Sequence, residues 1–179
     1  MTKQKQEIVL NDDVAHLWID ALTSGEYKQG VGRLGTMADD KSKRDGNRPD
    51  EFCCLGVLCD LYAKSHPEAH WKKKQRLDDY AVFIFDTGKQ LDENEPETGK
   101  TYLPKTVAEW AGFPNNVHGT WNNKGEFTNG PHHMTLENGD TFHCEALTLL
   151  NDSNVPFSII AESIKRYMTS FGKESVGDE

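Results

Sequence analysis

The stretch EFCCLGVLCDLY, residues 51–62, constrains the fold more than any other part of the chain. On a helix of 3.6 residues per turn, Phe52, Leu55, Cys59 and Tyr62 share one face, and Cys54, Leu58 and Leu61 share the adjoining one. A helix this widely apolar must be covered on most sides, so it predicts a central element with the rest of the chain built around it. Pro49 and Asp50 open the segment, and His66 with Pro67 ends it. Gly56 lies inside it at a cost of about 1 kcal/mol relative to alanine, which points to a backbone or a ligand passing close by.

The elements that would surround this helix are partly legible. Asn11 is placed to cap a helix whose apolar residues Val14, Leu17, Trp18, Ala21 and Leu22 follow helical spacing and which stops at Gly25. Residues 26–50, with Gly30, Gly32, Gly35 and Gly46 among many charges, read as a long loop. YAVFIFD, residues 80–86, reads as an inner strand, and KQLDENEPETGK, residues 89–100, as an acidic solvated loop. LPKTVAEWAGFP predicts a short helix from Pro104 to Gly112 that turns Val107 and Trp110 inward. Hairpin signals follow in WNNKGEF and in MTLENGDTFHC, where Asn138 and Gly139 suit a type I′ turn. EALTLLNDSNVPFSIIAESIKRYM predicts a short helix, a polar break at Asn151–Asn154, and a helix with Phe157, Ile160, Ala161, Ile164 and Met168 on one face. The expected class is α+β, about four helices on a small, mainly antiparallel sheet. At 179 residues a single domain over 11–172 is expected, after a polar leader at 1–10 and before a disordered tail at 173–179.

No apolar run approaches the ~18 residues of a spanning helix, and MTKQKQEIVL has no secretory core, so a cytoplasmic location is expected. Reducing conditions would keep thiols free, and four cysteines are too few for a disulfide scaffold. Cys53 and Cys54 fall where a helix N-terminus could activate a thiol, yet cysteine also serves as a small apolar residue, and packing is the expected role. His132, His133, His143 and Cys144 lack the paired spacing of zinc ligands, so no metal and no cofactor are expected. A net charge of −9 argues against general nucleic-acid binding. Residues 28–48 reverse the sign, with six basic residues (Lys28, Arg33, Lys41, Lys43, Arg44, Arg48) against Asp39, Asp40 and Asp45, and WKKKQR, residues 71–76, is a second basic knot.

QGVGRLG lacks both the GK[ST] element and the GxGxxG spacing of nucleotide loops. Its neighbourhood nevertheless holds Tyr27 to stack on a base, Lys28 and Arg33 to neutralise phosphate, and Gln29 to read an edge, with Asn151 and Asp152 as further hydrogen-bonding groups. Those six residues form the candidate ligand site. Their structural alternatives are an exposed basic loop with Tyr27 and Leu34 dipping into the core and, for Asn151 and Asp152, capping and Asx turns.

Three islands, WIDALTSGEYKQGVGRL, FCCLGVLCDLY and LLNDSNVPFSIIAESI, with LPKTVAEWAGF between the last two, resemble a set of small proteins of tailed bacteriophages and prophages. The resemblance runs from Trp18 to Ile164, departs at the insert between Leu34 and Phe52, and carries no established activity. It implies a phage origin, and the leading expectation is a counter-defence protein that sequesters a nucleotide-derived immune signal without catalysis, with a homo-oligomer as its natural form. One alternative is an inhibitor of a host defence protein that presents acids at Asp92, Glu93, Glu95 and Glu97. Another is a small enzyme pairing Cys53 or Cys54 with His118 or His143.

Overall fold

A computed structural model describes residues 10–38, 47–77, 80–91, 95–112, 132–135, 141–144 and 147–171. Among them the fold is mixed α+β, with a six-stranded sheet, a separate two-stranded hairpin and five helices, two of them only six residues long. No helix among the described residues is long and apolar enough to cross a membrane.

Helix α1 spans Asp12–Thr23; Asn11 accepts from the Val14 amide at 3.5 Å, Asp12 and Asp13 occupy the first turn, and Gly25 follows at φ +78°. Its buried stripe is Val14, Ala15, Trp18, Ile19 and Leu22. Leu17, expected inside, is 54% exposed, because the packed face is centred on the 15/18/22 line rather than on 14/17/21.

Helix α2, Cys54–Ser65, is the central element that residues 51–62 predict, and its buried residues run without a gap from Cys54 to Asp60 and then include Tyr62. The segment expected as a long loop before it contains two short strands, β1 (Lys28–Gln29) and β2 (Gly35–Ala38), and Glu51–Phe52, expected as the start of the helix, is instead a third, β3, so that Phe52 reaches the core from a strand. Strand β3 pairs in parallel with β1 and antiparallel with β2. Local composition gives no hint of these strands, since each owes its geometry to a partner over twenty residues away or to the neighbouring sheet. Residues 39–46 of that segment lie outside the described residues.

Strand β4 (His70–Leu77) forms an antiparallel ladder with β5 (Tyr80–Gln90), and β5 also pairs with β2 and with β6 (Pro96–Gly99). YAVFIFD is therefore an inner strand, as its composition requires, while the acidic loop expected over 89–100 is instead the end of β5, a connection, and β6. The WKKKQR knot is the outer strand of the sheet. Trp71 and Phe85 turn toward α2, with ring centroids 4.9 Å apart, and Phe52 meets Trp71 edge-on at 5.7 Å.

Helix α3 (Lys105–Trp110) starts after Pro104 and stops before Gly112 at φ +78°. Buried Glu97 accepts from the Thr106 amide at 2.8 Å and so satisfies one of its first-turn donors. Strands β7 (His132–Thr135) and β8 (Thr141–Cys144) form the expected second hairpin; its turn at 136–140, and the WNNKGEF signal at 121–127, lie outside the described residues. Helix α4 (Leu147–Asp152) continues through Asn151 and Asp152, two residues further than expected, and α5 (Phe157–Phe171) follows. Phe157, Ile160, Ala161 and Ile164 are buried on α5, which packs on α1.

At Gly56 the passing group is backbone. A Cβ there would lie 1.7 Å from the Leu34 carbonyl oxygen, and the Cys53 amide donates to that same oxygen at 3.3 Å. Gly56→Ala should therefore lower stability by about 3 kcal/mol despite alanine's better helix propensity. A urea denaturation curve reads this directly; a gain in midpoint would show that the Leu34 strand can withdraw.

Candidate functional site

The residues selected from the sequence gather in two places. Asn151, fully buried on α4, accepts from the Cys54 amide at 3.0 Å and donates to the Gly30 carbonyl at 2.8 Å. Gln29 donates to the Val155 carbonyl at 2.8 Å, and Asp152 accepts from the Gly32 amide at 2.9 Å. Arg33 donates from Nη1 to the Gly32 carbonyl and to the Thr101 hydroxyl. Gln29, Asn151 and Asp152 thus converge, as a shared site requires, but their polar atoms lock the 29–33 segment onto α4 instead of facing a void. Lys28 is exposed and ion-paired with Glu51.

Tyr27 belongs elsewhere. The ring proposed to stack on a base is buried, edge-on to Phe52 at 5.3 Å, and its hydroxyl donates to Asp60 Oδ2 at 2.8 Å. That placement corrects its assignment as a stacking platform: the ring faces are taken up by the core and by Arg48, whose guanidinium carbon lies 5.8 Å from the centroid.

Asp60 is the hub of the second place. Its side chain, 5% exposed, receives Arg48 Nε at 2.9 Å and Nη2 at 2.7 Å, Tyr27 Oη at 2.8 Å and Trp71 Nε1 at 3.1 Å, with Lys64 Nζ at 3.9 Å. Burial pushes the carboxyl up, but the hydrogen bonds from Arg48 and Tyr27 and the Arg48 charge more than offset it, so Asp60 stays ionised below the usual carboxylate range. Burial, followed by the bond to Asp60, pushes the Tyr27 phenol well up, so it stays a protonated donor. Lys64 also donates to the Tyr27 hydroxyl at 2.9 Å.

Beside this hub opens a cavity of about 390 Å³, lined by Asn47, Arg48, Asp60, Ala63, Lys64, Ala69, His70 and Trp71. The floor carries the bound carboxylate, the wall is alanine methyls and indole, and the rim carries the exposed cations Arg48 and Lys64, with His70. Arg48 uses Nε and Nη2 on Asp60, which fixes the plane of the guanidinium and leaves Nη1 outside that pair of bonds. A cavity so built suits an anion attached to an apolar or aromatic body. One feature of the sequence marks it: Asp60 is the lone acid in residues 52–62, and a charge in so apolar a helix requires a cation brought to it. Which cation answers is not local information.

The thiols of Cys53, Cys54 and Cys59 are free and buried. Burial pushes Cys53 up to about 12 and the other two well above the ordinary thiol value, so these three remain protonated at neutral pH, which suits packing and not nucleophilic attack. Cys53 caps α2 by accepting from the Gly56 amide at 3.3 Å. His118 lies outside the described residues, and His143 is placed by backbone pairing opposite His133. Of the acidic face, Asp92 and Glu93 lie outside the described residues, Glu95 is exposed, and Glu97 is not on a surface at all: it is buried, bonded to Thr87 and the Thr106 amide. Among the described residues no group of histidine, cysteine and carboxylate side chains is arranged to hold a metal ion.

A family described as a domain of unknown function, DUF8296, matches residues 10–168, and the chain belongs to it. No curated protein and no solved structure matches.

Two measurements follow from this geometry. Asp60→Asn keeps an acceptor for Tyr27 and Trp71 but removes the charge paired with Arg48, and should cost on the order of 2 kcal/mol at pH 7. Because the native carboxyl titrates low, its stabilisation is present above the unfolded value and is lost as pH falls through the native one, so the gap between wild type and variant in urea melts should begin to close at about pH 4 and narrow steadily below it. In native protein at pH 8, peptide mapping after brief alkylation should find Cys53, Cys54 and Cys59 unmodified, and all three labelled once the chain is unfolded.

Proposed function

We propose that this member of the DUF8296 family acts by binding: it holds a nucleotide-derived signalling molecule without turning it over, in the counter-defence role that its phage-like sequence islands imply. The cavity beside Asp60 carries the reading. Its two exposed cations can neutralise a phosphate, His70 can hydrogen-bond to it, its apolar wall of Ala63, Ala69 and Trp71 can cover the body of a nucleoside, and its volume falls in the range of small-ligand sites. The ligand site is therefore moved from the 27–33 loop and Asn151–Asp152 to Arg48, Lys64, His70 and the hub beneath them. Three protonated core thiols support a role without cysteine chemistry. Sequestration requires tight binding and slow release, and a symmetric oligomer that closes the open side of the cavity is the form we propose for it.

Native mass spectrometry tests the reading. Protein incubated with a bacterial nucleotide extract should gain a stoichiometric mass of a few hundred daltons that is released intact on denaturation. Lys64→Ala, an exposed substitution, should weaken the retained species about tenfold. Protein that gains no such mass and instead co-purifies with a host polypeptide would replace this reading with that of a protein-binding inhibitor.

A further inference from the structure

Strand β4 begins at the cavity and leaves it carrying lysine at three successive positions. His70 and Trp71 line the cavity, and Lys72, Lys73 and Lys74 follow, all exposed. Lys72 turns to the face opposite Trp71 and is ion-paired with Asp86. Lys73 returns to the Trp71 face, and at about 3.3 Å per residue it stands about 7 Å beyond Trp71 along the strand. At this point the register slips: Lys73 faces Phe83 and Gln75 faces Val82, so Lys74 is an inserted residue without a cross-strand partner. A bulge of this kind takes a side chain out of regular alternation and re-aims it, and such bulges recur next to binding sites.

From this arrangement we propose that the ligand carries at least two phosphates in succession, the first held between Arg48 and Lys64 and the next by Lys74. The proposal rests on the reading of the cavity as a nucleotide site and specifies the class of nucleotide. Lysine on an outer strand also guards against edge-to-edge pairing, but that duty is met by charge of either sign, anywhere on the edge. Edge protection accounts for neither the bulge nor the start of the lysine run at a cavity already rimmed by Arg48 and Lys64. In a chain of net charge −9, a line of cations leading out of one cavity is a local reversal of sign that a diphosphate or triphosphate chain complements. Of the neighbouring carboxylates, Asp60 is engaged by Arg48 and Asp86 by Lys72, and Glu68 is exposed two residues before His70.

The test is calorimetric titration of the full chain with adenosine and guanosine mono-, di- and triphosphates at constant ionic strength, for wild type, Lys74→Gln and Lys64→Ala. Affinity should rise about fivefold or more with each phosphate in wild type. Lys74→Gln should abolish the gain from added phosphates and leave monophosphate binding unchanged, whereas Lys64→Ala should weaken all three. Equal affinity for mono- and triphosphate, with Lys64→Ala still weakening both, would overturn the proposal and leave the single-phosphate cavity standing. No binding of any nucleotide would overturn the cavity reading and this proposal together. Lys74→Gln is an exposed change on an outer strand, and an unaltered melting curve will show that its effect is on binding.

Discussion

The buried start of α2 is the constraint on which the rest of the molecule depends. A helix end leaves amides without intrahelical partners, and here that end is inside the protein, where water cannot serve them. The Cys53 amide is taken by Leu34, the Cys54 amide by Asn151 and the Gly56 amide by the Cys53 sulfur. Trp18 donates back to the Cys54 carbonyl at 2.9 Å. One helical turn thus ties together α1, the approach to β2 and α4. Each of these bonds stands against the cost of leaving a buried donor unsatisfied, roughly 1–3 kcal/mol, so the three segments assemble around that turn or not at all. Gly56 belongs to the same constraint, since only a residue without Cβ lets the Leu34 carbonyl come this close.

The middle of α2 has a different task. Asp60 places a negative charge in the interior, and its partners come from the loop before β1, the residue before Pro49 and the start of β4. Taking a carboxylate from water is costly, and the bonds that compensate for it also hold Arg48 in a fixed plane at the mouth of a cavity. A cation held by a buried anion and still exposed on its outer side is oriented before any ligand arrives. The same interaction therefore organises the core and fixes Arg48 at the cavity mouth.

Among the first-chosen site residues the chemistry was legible but its direction was not. Gln29, Asn151 and Asp152 do come together, over more than a hundred positions of chain, and they do so to satisfy backbone groups of the 30–32 loop, the start of α2 and Val155. A polar side chain on a loop looks the same in sequence whether it serves a ligand or a buried carbonyl. Tyr27 reads equally as a ring that stacks on a base and as one dipping into the core; its ring completes the cluster with Phe52 and its hydroxyl serves Asp60. Arg48 lies within the basic stretch and Lys64 at the end of α2, and neither is distinguishable there from solvated charge.

What the sequence determined by itself is periodic or local: the wide apolar face of α2, the cap at Asn11, the stops at Gly25 and Gly112, the inner strand β5, and a glycine at 56 that requires a close neighbour. These follow from spacing and from backbone chemistry that act over a few residues. Tertiary structure alone decided that residues 28–29, 35–38 and 96–99 become strands, that Glu97 is buried, and that Arg48 meets Asp60. Strand pairing and charge pairing are both contacts between distant parts of the chain, and their free energy exists only once the core has brought those parts together.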